Sequence, residues 1–468
     1  MELHLNVENF GKIKSAKINI SNYTIFVGEN NSGKTYLMQL VYGVLKSIPS
    51  ISLECIEKYM KPNSSVFVSD VDFWETLEKE INFHLDKGKT TLVRNIFHKE
   101  IPIHSLQIKI IPDQTETGWI ISSLKTEKSV RDILNKQALK VENFQLEPFM
   151  EEDECQVSFF IGEKNFSKNI TRNLILPRDN FFIDFRGTLS NFLICTIFNI
   201  DYTTNSNFLF LPASRTGLQQ LYPYFFSEHR QAWGLSGYAK EQATKNVLGV
   251  SEPVYEFLDF LLKYVPLDEA SRANASLLNF IEDHMIDGKV ASKENITYYM
   301  PKQSTENIPL YLASSMINEL TPLIKILTHN TKTSFLFYDE VESCLHPSKQ
   351  AEMARLLNRL NNSGTRLMIS THSDNMATEI NNLLLLSFLQ EAEHSRNKKL
   401  KKLGLEPEDL LKKPNVHVYE FRNQKDGGSL VTEMDFKTVP NIGYDFSLFT
   451  QNTNRLYEKT KIILGIDE

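Results

Sequence analysis

Cysteine is scarce in this sequence, and long apolar runs are missing from it. The four cysteines among 468 residues are scattered without C-x-x-C spacing. A disulfide framework or a zinc site is therefore not expected, and a reducing cytoplasm is the predicted compartment. No stretch reaches the roughly eighteen apolar residues of a membrane span, so no membrane association is expected. The first residues alternate between apolar and polar, which predicts a strand and not a signal peptide.

Positive charge is also in deficit. With 51 Lys and Arg against 58 Asp and Glu, the formal net charge is −7, so the chain as a whole does not attract nucleic acid. Nucleic-acid binding stays open only through a local patch. The basic concentrations lie between Lys125 and Lys140 and between Lys398 and Lys402, and such runs are also the ordinary solvated faces of helices.

One motif near the start fits G-x-x-x-x-G-K-[ST], the Walker A phosphate loop, without a mismatch. An apolar run at Tyr23–Val27 precedes it, and apolar residues at helical spacing follow it, which gives the strand–loop–helix order that the motif requires. Lys34 would reach the β- and γ-phosphates of a nucleoside triphosphate, and the Thr35 hydroxyl would bind Mg²⁺. The predicted phosphate-binding residues are Gly28, Asn30, Asn31, Ser32, Gly33, Lys34 and Thr35.

A second motif lies three hundred residues further on, at the end of the apolar run Ser334–Tyr338. Such a run is typical of a strand buried on both faces, and here it delivers Asp339 and Glu340 to the edge of the sheet where ligands gather. This is a Walker B pattern. Asp339 would hold Mg²⁺, directly or through water, and Glu340 would polarise the attacking water.

Three further positions admit both a functional and a structural interpretation. His372 follows a predicted strand at Arg366–Ser370 and could report on a γ-phosphate. Arg215 follows another apolar run and could meet a phosphate or a partner subunit, or form a structural ion pair. Ser314 and Ser315 precede a predicted helix, where they could cap it or bind an anion. Pro322, inside that helix, should kink or shorten it.

The order and spacing of these motifs resemble ABC-type ATPase heads of the RecF/SMC kind, within the OLD-like branch of bacterial AAA-family proteins. The resemblance rests on six segments from the two ends of the chain: ENFGKIK, GENNSGKT, FLPASRTG, LASSMINEL, FLFYDEVESCLHP and ISTHSD. It implies an α/β ABC-ATPase head, which is a P-loop NTPase with a mixed sheet and flanking helices. Residues 46–202 are not covered by it.

The resemblance also implies domain boundaries and a role for each site residue. We expect an inserted α+β subdomain at 46–202 and a short helical arm with a hairpin at 218–300. The head itself would consist of residues 1–45, 203–217 and 301–468. In such heads ATP is sandwiched in a head-to-tail homodimer or higher oligomer. Lys34 and Thr35 would act in cis and Ser314 and Ser315 in trans, with Glu340 as catalytic base and His372 as switch. Met316 stands where the general signature has Gly, which makes close backbone approach to the phosphate less assured.

No Toprim nuclease pattern follows His372, so no nuclease is predicted in this chain. Standalone heads of this kind resemble the ATPase subunits of two-component antiphage systems such as Septu or PARIS, where a nuclease effector is a separate protein. The leading hypothesis is therefore an ATP-driven switch that gates such a partner. The alternatives are a RecF-like DNA repair or maintenance ATPase, and a scaffold with a vestigial ATPase.

Overall fold

The computed structural model describes residues 2–55, 65–67, 71–111, 120–124, 154–162, 169–177, 190, 208–228, 249–265, 274–293, 296–329, 333–388, 393–412, 415–437 and 443–464. The chain divides into two compact units. The smaller comprises Met1–Asn6, Val44–Lys89 and Ser105–Thr203, and the larger comprises Val7–Gly43, Thr90–His104 and Thr204–Glu468.

The strands have the following bounds: β1 Glu2–Phe10, β2 Ile13–Asn19, β3 Tyr23–Gly28, β4 Ser65–Phe67, β5 Ser105–Ile111, β6 Ile120–Leu124, β7 Glu154–Gly162, β8 Asn169–Pro177, β9 Phe208–Leu211, β10 Gly288–Lys293, β11 Ile296–Pro301, β12 Ile308–Pro309, β13 Phe335–Tyr338, β14 Arg366–Thr371, β15 Val416–Asn423 and β16 Ser429–Glu433.

The α-helices have the following bounds: α1 Lys34–Ser47, α2 Val71–Phe97, α3 Arg215–Glu228, α4 Glu252–Lys263, α5 Ala275–Phe280, α6 Ser315–Leu327, α7 Pro347–Asn362, α8 Asp374–Phe388, α9 Glu393–Leu403 and α10 Ser447–Leu464. A π-helical turn, Ile281–Met285, continues α5.

The principal sheet of the described residues is mixed, with the strand order β5-β1-β2-β16-β15-β3-β14-β13-β9. Strand β3 pairs in parallel with β14 on one side and with β15 on the other. Strand β13 pairs in parallel with β14 and with β9. Because the carboxyl ends of parallel strands meet at one edge, the loops after β3, β13, β14 and β9 lie together there.

Both faces of this central region are covered, which explains the uninterrupted apolar runs of its strands. On one face Tyr42 of α1 packs against Phe210 and Phe337, with ring centroids 5.9 and 5.2 Å apart. On the other face alternate strand residues join a buried cluster with α6, α7 and α8, represented by Leu336 and Leu320. The fold class predicted from the sequence, a mixed α/β sheet with flanking helices, is confirmed.

In the smaller unit the described residues form a four-stranded antiparallel sheet, in the order β4-β6-β7-β8. The same unit holds β5, whose alternate residues Leu106, Ile108 and Ile110 are buried. The Asn82 side chain donates to the Ile108 carbonyl over 2.8 Å and accepts from its N–H over 2.7 Å. These two hydrogen bonds tie α2 to β5.

The structure tests two local predictions. Helix α6 is not shortened at Pro322 but runs on to Leu327, and the other predicted effect of Pro322, a kink, stays a prediction. Proline lacks an N–H, so the carbonyl of Asn318 loses its helical partner, and the buried Gln219 side chain approaches it at 3.5 Å instead. The predicted hairpin at residues 288–300 is confirmed as the antiparallel pair β10–β11. No helix of the described residues combines the length and apolarity needed to cross a membrane.

Candidate functional site

The phosphate loop follows β3 and opens directly into α1, as the sequence predicted. Gly28 has φ +139° and Gly33 has φ +97°, which are conformations that favour glycine, and Asn31 is left-handed with φ 55°. The Lys34 ammonium donates to the carbonyls of Gly28 and Glu29, over 3.0 and 2.7 Å. The loop is therefore closed on its own lysine, which is 7% exposed. Asn30 and Asn31 are exposed at its tip, whereas Ser32 is buried and donates to the Glu29 carbonyl.

Two residues that the sequence analysis did not single out anchor this loop from outside. Asn423, at the end of β15, donates its backbone N–H to Glu29 Oε2 over 2.8 Å and its side-chain amide to the Asn30 carbonyl over 3.2 Å. Lys12 donates to the Asn31 carbonyl and, over 2.8 Å, to Asn423 Oδ1. These contacts fix the exposed tip of the loop to the turn between β1 and β2 and to the end of β15.

The Walker A and Walker B residues meet in one hydrogen-bonded group. The Thr35 hydroxyl donates to Asp339 Oδ2 over 2.7 Å. Ser370, at the end of β14, donates to Asp339 Oδ1 over 2.5 Å and accepts the backbone N–H of Glu340 over 2.8 Å. Asp339 is 1% exposed, so burial raises the pKa of its carboxyl, while the hydrogen bonds from Ser370 and Thr35 act in the opposite direction.

The predicted base and switch residues lie beside this group. Glu340 is left-handed at φ 48°, and Ser343 donates to its Oε2 over 3.4 Å. The His372 ring Nδ1 lies 3.8 Å from Glu340 Oε1 and 3.2 Å from Glu342 Oε1. The backbone N–H of His372 also donates to Glu342 Oε1 over 2.7 Å. Glu342 therefore holds the histidine at the side of Glu340, and its other oxygen, Oε2, has no hydrogen-bond partner among the described residues.

A cleft of about 600 Å³ opens next to these residues. Its wall includes Thr216, Glu319, Glu340, Glu342, Cys344 and His372. Burial lowers the pKa of Lys34 in the adjoining loop, and the negative charges of Asp339 and Glu340 oppose this shift. The site thus combines one ammonium group with several carboxylates at a single edge of the sheet.

The two alternatives left open for Arg215 are now resolved. Arg215 has no exposed surface, and its Nη2 lies 2.5 Å from Glu319 Oε1 on α6. The interpretation as a phosphate or partner-subunit contact is therefore wrong, because neither ligand can reach a fully buried guanidinium. Its structural alternative, an ion pair, is confirmed.

Ser314 and Ser315 lie at the amino end of α6 and are exposed. The Ser314 side chain caps the helix by accepting the N–H of Ile317 at 3.5 Å, so the predicted cap is confirmed. Neither serine belongs to the cleft wall beside Glu340. Their role as a trans signature stays a prediction.

The residues present fit a nucleotide with Mg²⁺. A Thr hydroxyl and an Asp carboxylate are the oxygen donors that Mg²⁺ takes from a protein when phosphates supply the remainder. The ammonium of Lys34, held here only by carbonyls of its own loop, is the cation that such loops offer to the β- and γ-phosphates. Gly28 has no room for a side chain, since a Cβ would lie 2.2 Å from the Phe421 carbonyl oxygen.

Comparisons with known proteins give the following similarities. No curated protein matches the chain. Among solved structures, the SMC head bound to the C-winged helix domain of ScpA shares 12% identity at a TM-score of 0.37, covering 94% of this chain and 99% of that chain. The SMC head domain from Thermotoga maritima shares 12% identity at a TM-score of 0.31, covering 93% and 100%. The SMC head with an extended coiled coil bound to the C-terminal domain of ScpA, from Pyrococcus furiosus, shares 10% identity at a TM-score of 0.34, covering 99% of both chains.

The comparison with protein families matches residues 1–173 and 256–377 to the AAA ATPase domain family. The matched segments contain the phosphate loop, the strand that ends in Asp339 and the loop of His372, and they make up more than half of the chain. This protein belongs to the AAA ATPase domain family.

Proposed function

We propose that the chain is an ABC-type switch that binds ATP with Mg²⁺, pairs head-to-tail with a second copy around the nucleotide, and separates again after hydrolysis. The observation that carries the proposal is the 2.7 Å hydrogen bond from Thr35 to Asp339, with Glu340 and His372 beside it. Residues from both segments that match the family thereby contribute to one site. The same groups at a distance from one another would support binding of an anion only.

The chain's own residues divide the work of hydrolysis. Lys34 would leave the carbonyls of Gly28 and Glu29 for the phosphates. Thr35 and Asp339 would hold Mg²⁺, which would neutralise charge on the phosphate oxygens. Glu340 orients the attacking water and accepts its proton. His372 is supported by Glu342 and contacts the γ-phosphate side of the site, so that its position changes with the presence of that group.

The exposed position of Ser314 and Ser315 supports their action on the nucleotide of a second copy. A serine-capped helix amino end that faces solvent can offer its N–H groups to an anion outside its own chain. In a head-to-tail pair each copy would contribute Lys34 and Thr35 to one nucleotide and Ser314 and Ser315 to the other. Met316, which is half-buried behind them, restricts how closely the backbone approaches.

The output of the switch is proposed to be control of a separate protein, a nuclease effector in antiphage defence. Support for this part comes from the resemblance of the motifs to standalone ATPase subunits and from the lack of a Toprim pattern in the sequence. Under this proposal, the purified chain hydrolyses ATP and cleaves no nucleic acid, whereas nuclease activity depends on the partner.

The first test is Mg²⁺-dependent ATP turnover by wild type and Glu340→Gln. A variant without the base should bind ATP with the wild-type affinity and lose activity by about 10²-fold or more. Undiminished turnover in the variant would refute the assignment of Glu340, and a wild type without turnover would refute the ATPase switch itself.

The second test addresses the head-to-tail pair. Lys34→Ala and Ser315→Arg should each be inactive alone, and mixing them should restore about a quarter of the wild-type activity, because random pairing leaves one intact composite site in half of the pairs. Mixtures that remain inactive would contradict the trans role of Ser315.

The alternative, a DNA-binding ATPase of the RecF/SMC kind, is favoured by one surface feature. Helix α9 exposes Lys398, Lys399, Lys401 and Lys402 around a buried Leu400. The other predicted basic concentration, between 125 and 140, lies outside the described residues. Binding of duplex DNA whose affinity falls steeply with salt, and falls less steeply in a variant with these lysines changed to Gln, would support this alternative. An affinity without salt dependence would remove it.

A further inference from the structure

We infer that Arg215 and Glu319 form a positioning pair that sets the backbone of Glu340 and ties it to the helix carrying Ser314 and Ser315. The inference rests on the proposed function, because it assigns a role within that same site. Neither residue is assigned a contact with the nucleotide, and both act through Glu340.

Arg215 contacts the backbone of the Walker B segment directly. Its Nη1 donates to the Asp339 carbonyl over 2.7 Å, and its Nη2 donates to the Glu340 carbonyl over 3.0 Å. The guanidinium carbon also lies 4.6 Å from the centre of the Tyr338 ring. One planar cation therefore holds three successive residues at the end of β13, a task for which its fixed fork of donors is suited.

The conformation of Glu340 gives this contact its importance. Glu340 is a non-glycine residue in the left-handed region, with φ 48°, and such a conformation persists only where the surroundings enforce it. Ser370 accepts its N–H, and Arg215 and the Ser343 N–H occupy its carbonyl. Both peptide groups are thereby fixed, and with them the direction in which the Glu340 side chain leaves the backbone.

Arg215 is also linked to α6, through Glu319. Glu319 is 2% exposed, and its two oxygens meet Arg215 and the Thr216 hydroxyl. Burial raises the pKa of this carboxyl, and the charge of Arg215 opposes the shift. Glu319 lies one helical turn after Ser315, on the helix that Ser314 caps. A displacement of this helix by a second copy therefore acts on the guanidinium that holds Glu340.

Closing a head-to-tail pair around ATP would press on the amino end of α6. The Arg215–Glu319 pair conveys that displacement to the residue that activates water. Pairing and hydrolysis are thus joined by a contact that is already formed within one chain, and the catalytic carboxylate is oriented when α6 is in place.

The test compares Glu319→Gln and Arg215→Lys with a matched control. Glu319→Gln keeps the shape and removes the charge, and Arg215→Lys keeps the charge and removes the fork. The control is Asp409→Asn, which breaks a buried ion pair with Arg355 at 2.9 Å and with Arg359 at 2.7 Å. None of these three residues belongs to the wall of the cleft beside Glu340. Thermal unfolding of each variant shows how much stability is lost.

Two readouts separate positioning from stability. The first is steady-state ATP turnover in the wild-type background, which gives kcat and KM separately. The second is ATP-driven pairing, followed by light scattering, in the Glu340→Gln background. We expect Glu319→Gln and Arg215→Lys to lower kcat by about tenfold with KM within about twofold of the wild type, and to weaken pairing. Asp409→Asn should lose comparable thermal stability with kcat and pairing unchanged.

A wild-type kcat or undisturbed pairing in folded Glu319→Gln overturns the positioning role, and so does an equal loss of kcat in Asp409→Asn. These results leave the proposed function standing, because the wild type is active beside them. If the wild type itself neither turns over ATP nor pairs, the proposed function fails and the positioning role fails with it.

Discussion

The Thr35 hydroxyl and Asp339 Oδ2 lie 2.7 Å apart, although 304 residues of chain separate them. This contact joins the first turn of α1 to the end of β13. It is possible because β14 alone lies between β3 and β13 in the sheet. The geometry of the two proposed Mg²⁺ ligands is therefore set by the register of three parallel strands.

Replacing Thr35 by Val removes the hydroxyl and keeps the shape of the side chain. We expect the affinity for ATP in the presence of Mg²⁺ to fall by about tenfold or more, because a ligand and a charge-assisted hydrogen bond to Asp339 are lost together. Thr35→Ser, which keeps the hydroxyl, should remain close to wild type. Titration with a fluorescent ATP analogue, with Mg²⁺ and with EDTA, measures the effect, and an equal loss under both conditions would count against a metal ligand.

Gly28→Ala should destabilise the folded chain strongly. The added Cβ would lie 2.2 Å from the Phe421 carbonyl oxygen, and φ +139° is unfavourable for alanine. We expect a loss of roughly 2–4 kcal/mol in the free energy of unfolding. Gly217→Ala is the matched control on α3, where a Cβ meets nothing within 4 Å, and it should raise stability by about 0.5 kcal/mol. Denaturant titration measures whether the free energy of unfolding falls in Gly28→Ala and rises in Gly217→Ala.

Ser370→Ala should affect stability and turnover together. Ser370 is fully buried, and its loss leaves Asp339 Oδ1 and the Glu340 N–H without this partner. The expected cost is about 1–3 kcal/mol of unfolding free energy, with kcat lowered by about tenfold or more because Glu340 is less well held. The control Ser363→Ala removes one local hydrogen bond, from the hydroxyl of an exposed residue to the Leu360 carbonyl, at the end of α7. Equal kcat values in the two variants would contradict the role of Ser370.

Lys325 gives a pH-dependent prediction. It is buried in α6, and desolvation lowers the pKa of its ammonium to about 8. Between pH 8 and the ordinary value of 10.5 the unfolded chain keeps this proton while the folded chain releases it, so stability rises with pH in that window. Below pH 8 the whole penalty of burying the charge applies.

Lys325→Met should therefore stabilise the protein by roughly 3 kcal/mol at pH 7, from the size of the shift. The advantage over the wild type should shrink as the pH rises towards 10. The exposed Lys402→Met serves as control and should change little at any pH. Urea denaturation at pH 7, 8, 9 and 10 measures these differences, and an advantage that is independent of pH would contradict the proposed origin.

The sequence predicted most of the elements that form the site, because their signals are local. The strand before the phosphate loop, the strand before Asp339 and the strand before His372 are apolar runs that end in polar residues, and all three are present as predicted. The helix that Ser314 caps was found from its cap and its apolar face.

What the sequence did not predict depends on distant partners. Ser370, Asn423 and Lys12 are ordinary polar residues in the sequence, and only the pairing of strands brings them to the site. Arg215 was recognised as unusual, but the choice between a ligand and an ion pair depended on Glu319, which comes a hundred residues later. One signal for Ser370 was available beforehand, because it lies at the end of the predicted strand Arg366–Ser370, and ligands gather at such strand ends.

The position of β3 also has a consequence for synthesis of the chain on the ribosome. The strand that carries the phosphate loop is made early, yet both of its neighbours, β14 and β15, come after residue 365. Until those segments have emerged, neither edge of β3 has its final partner, and Gly28 lacks the Phe421 backbone against which it packs. A nascent chain therefore carries a complete phosphate-loop sequence long before it can hold a nucleotide, and ATP cannot guide the early stages of its folding.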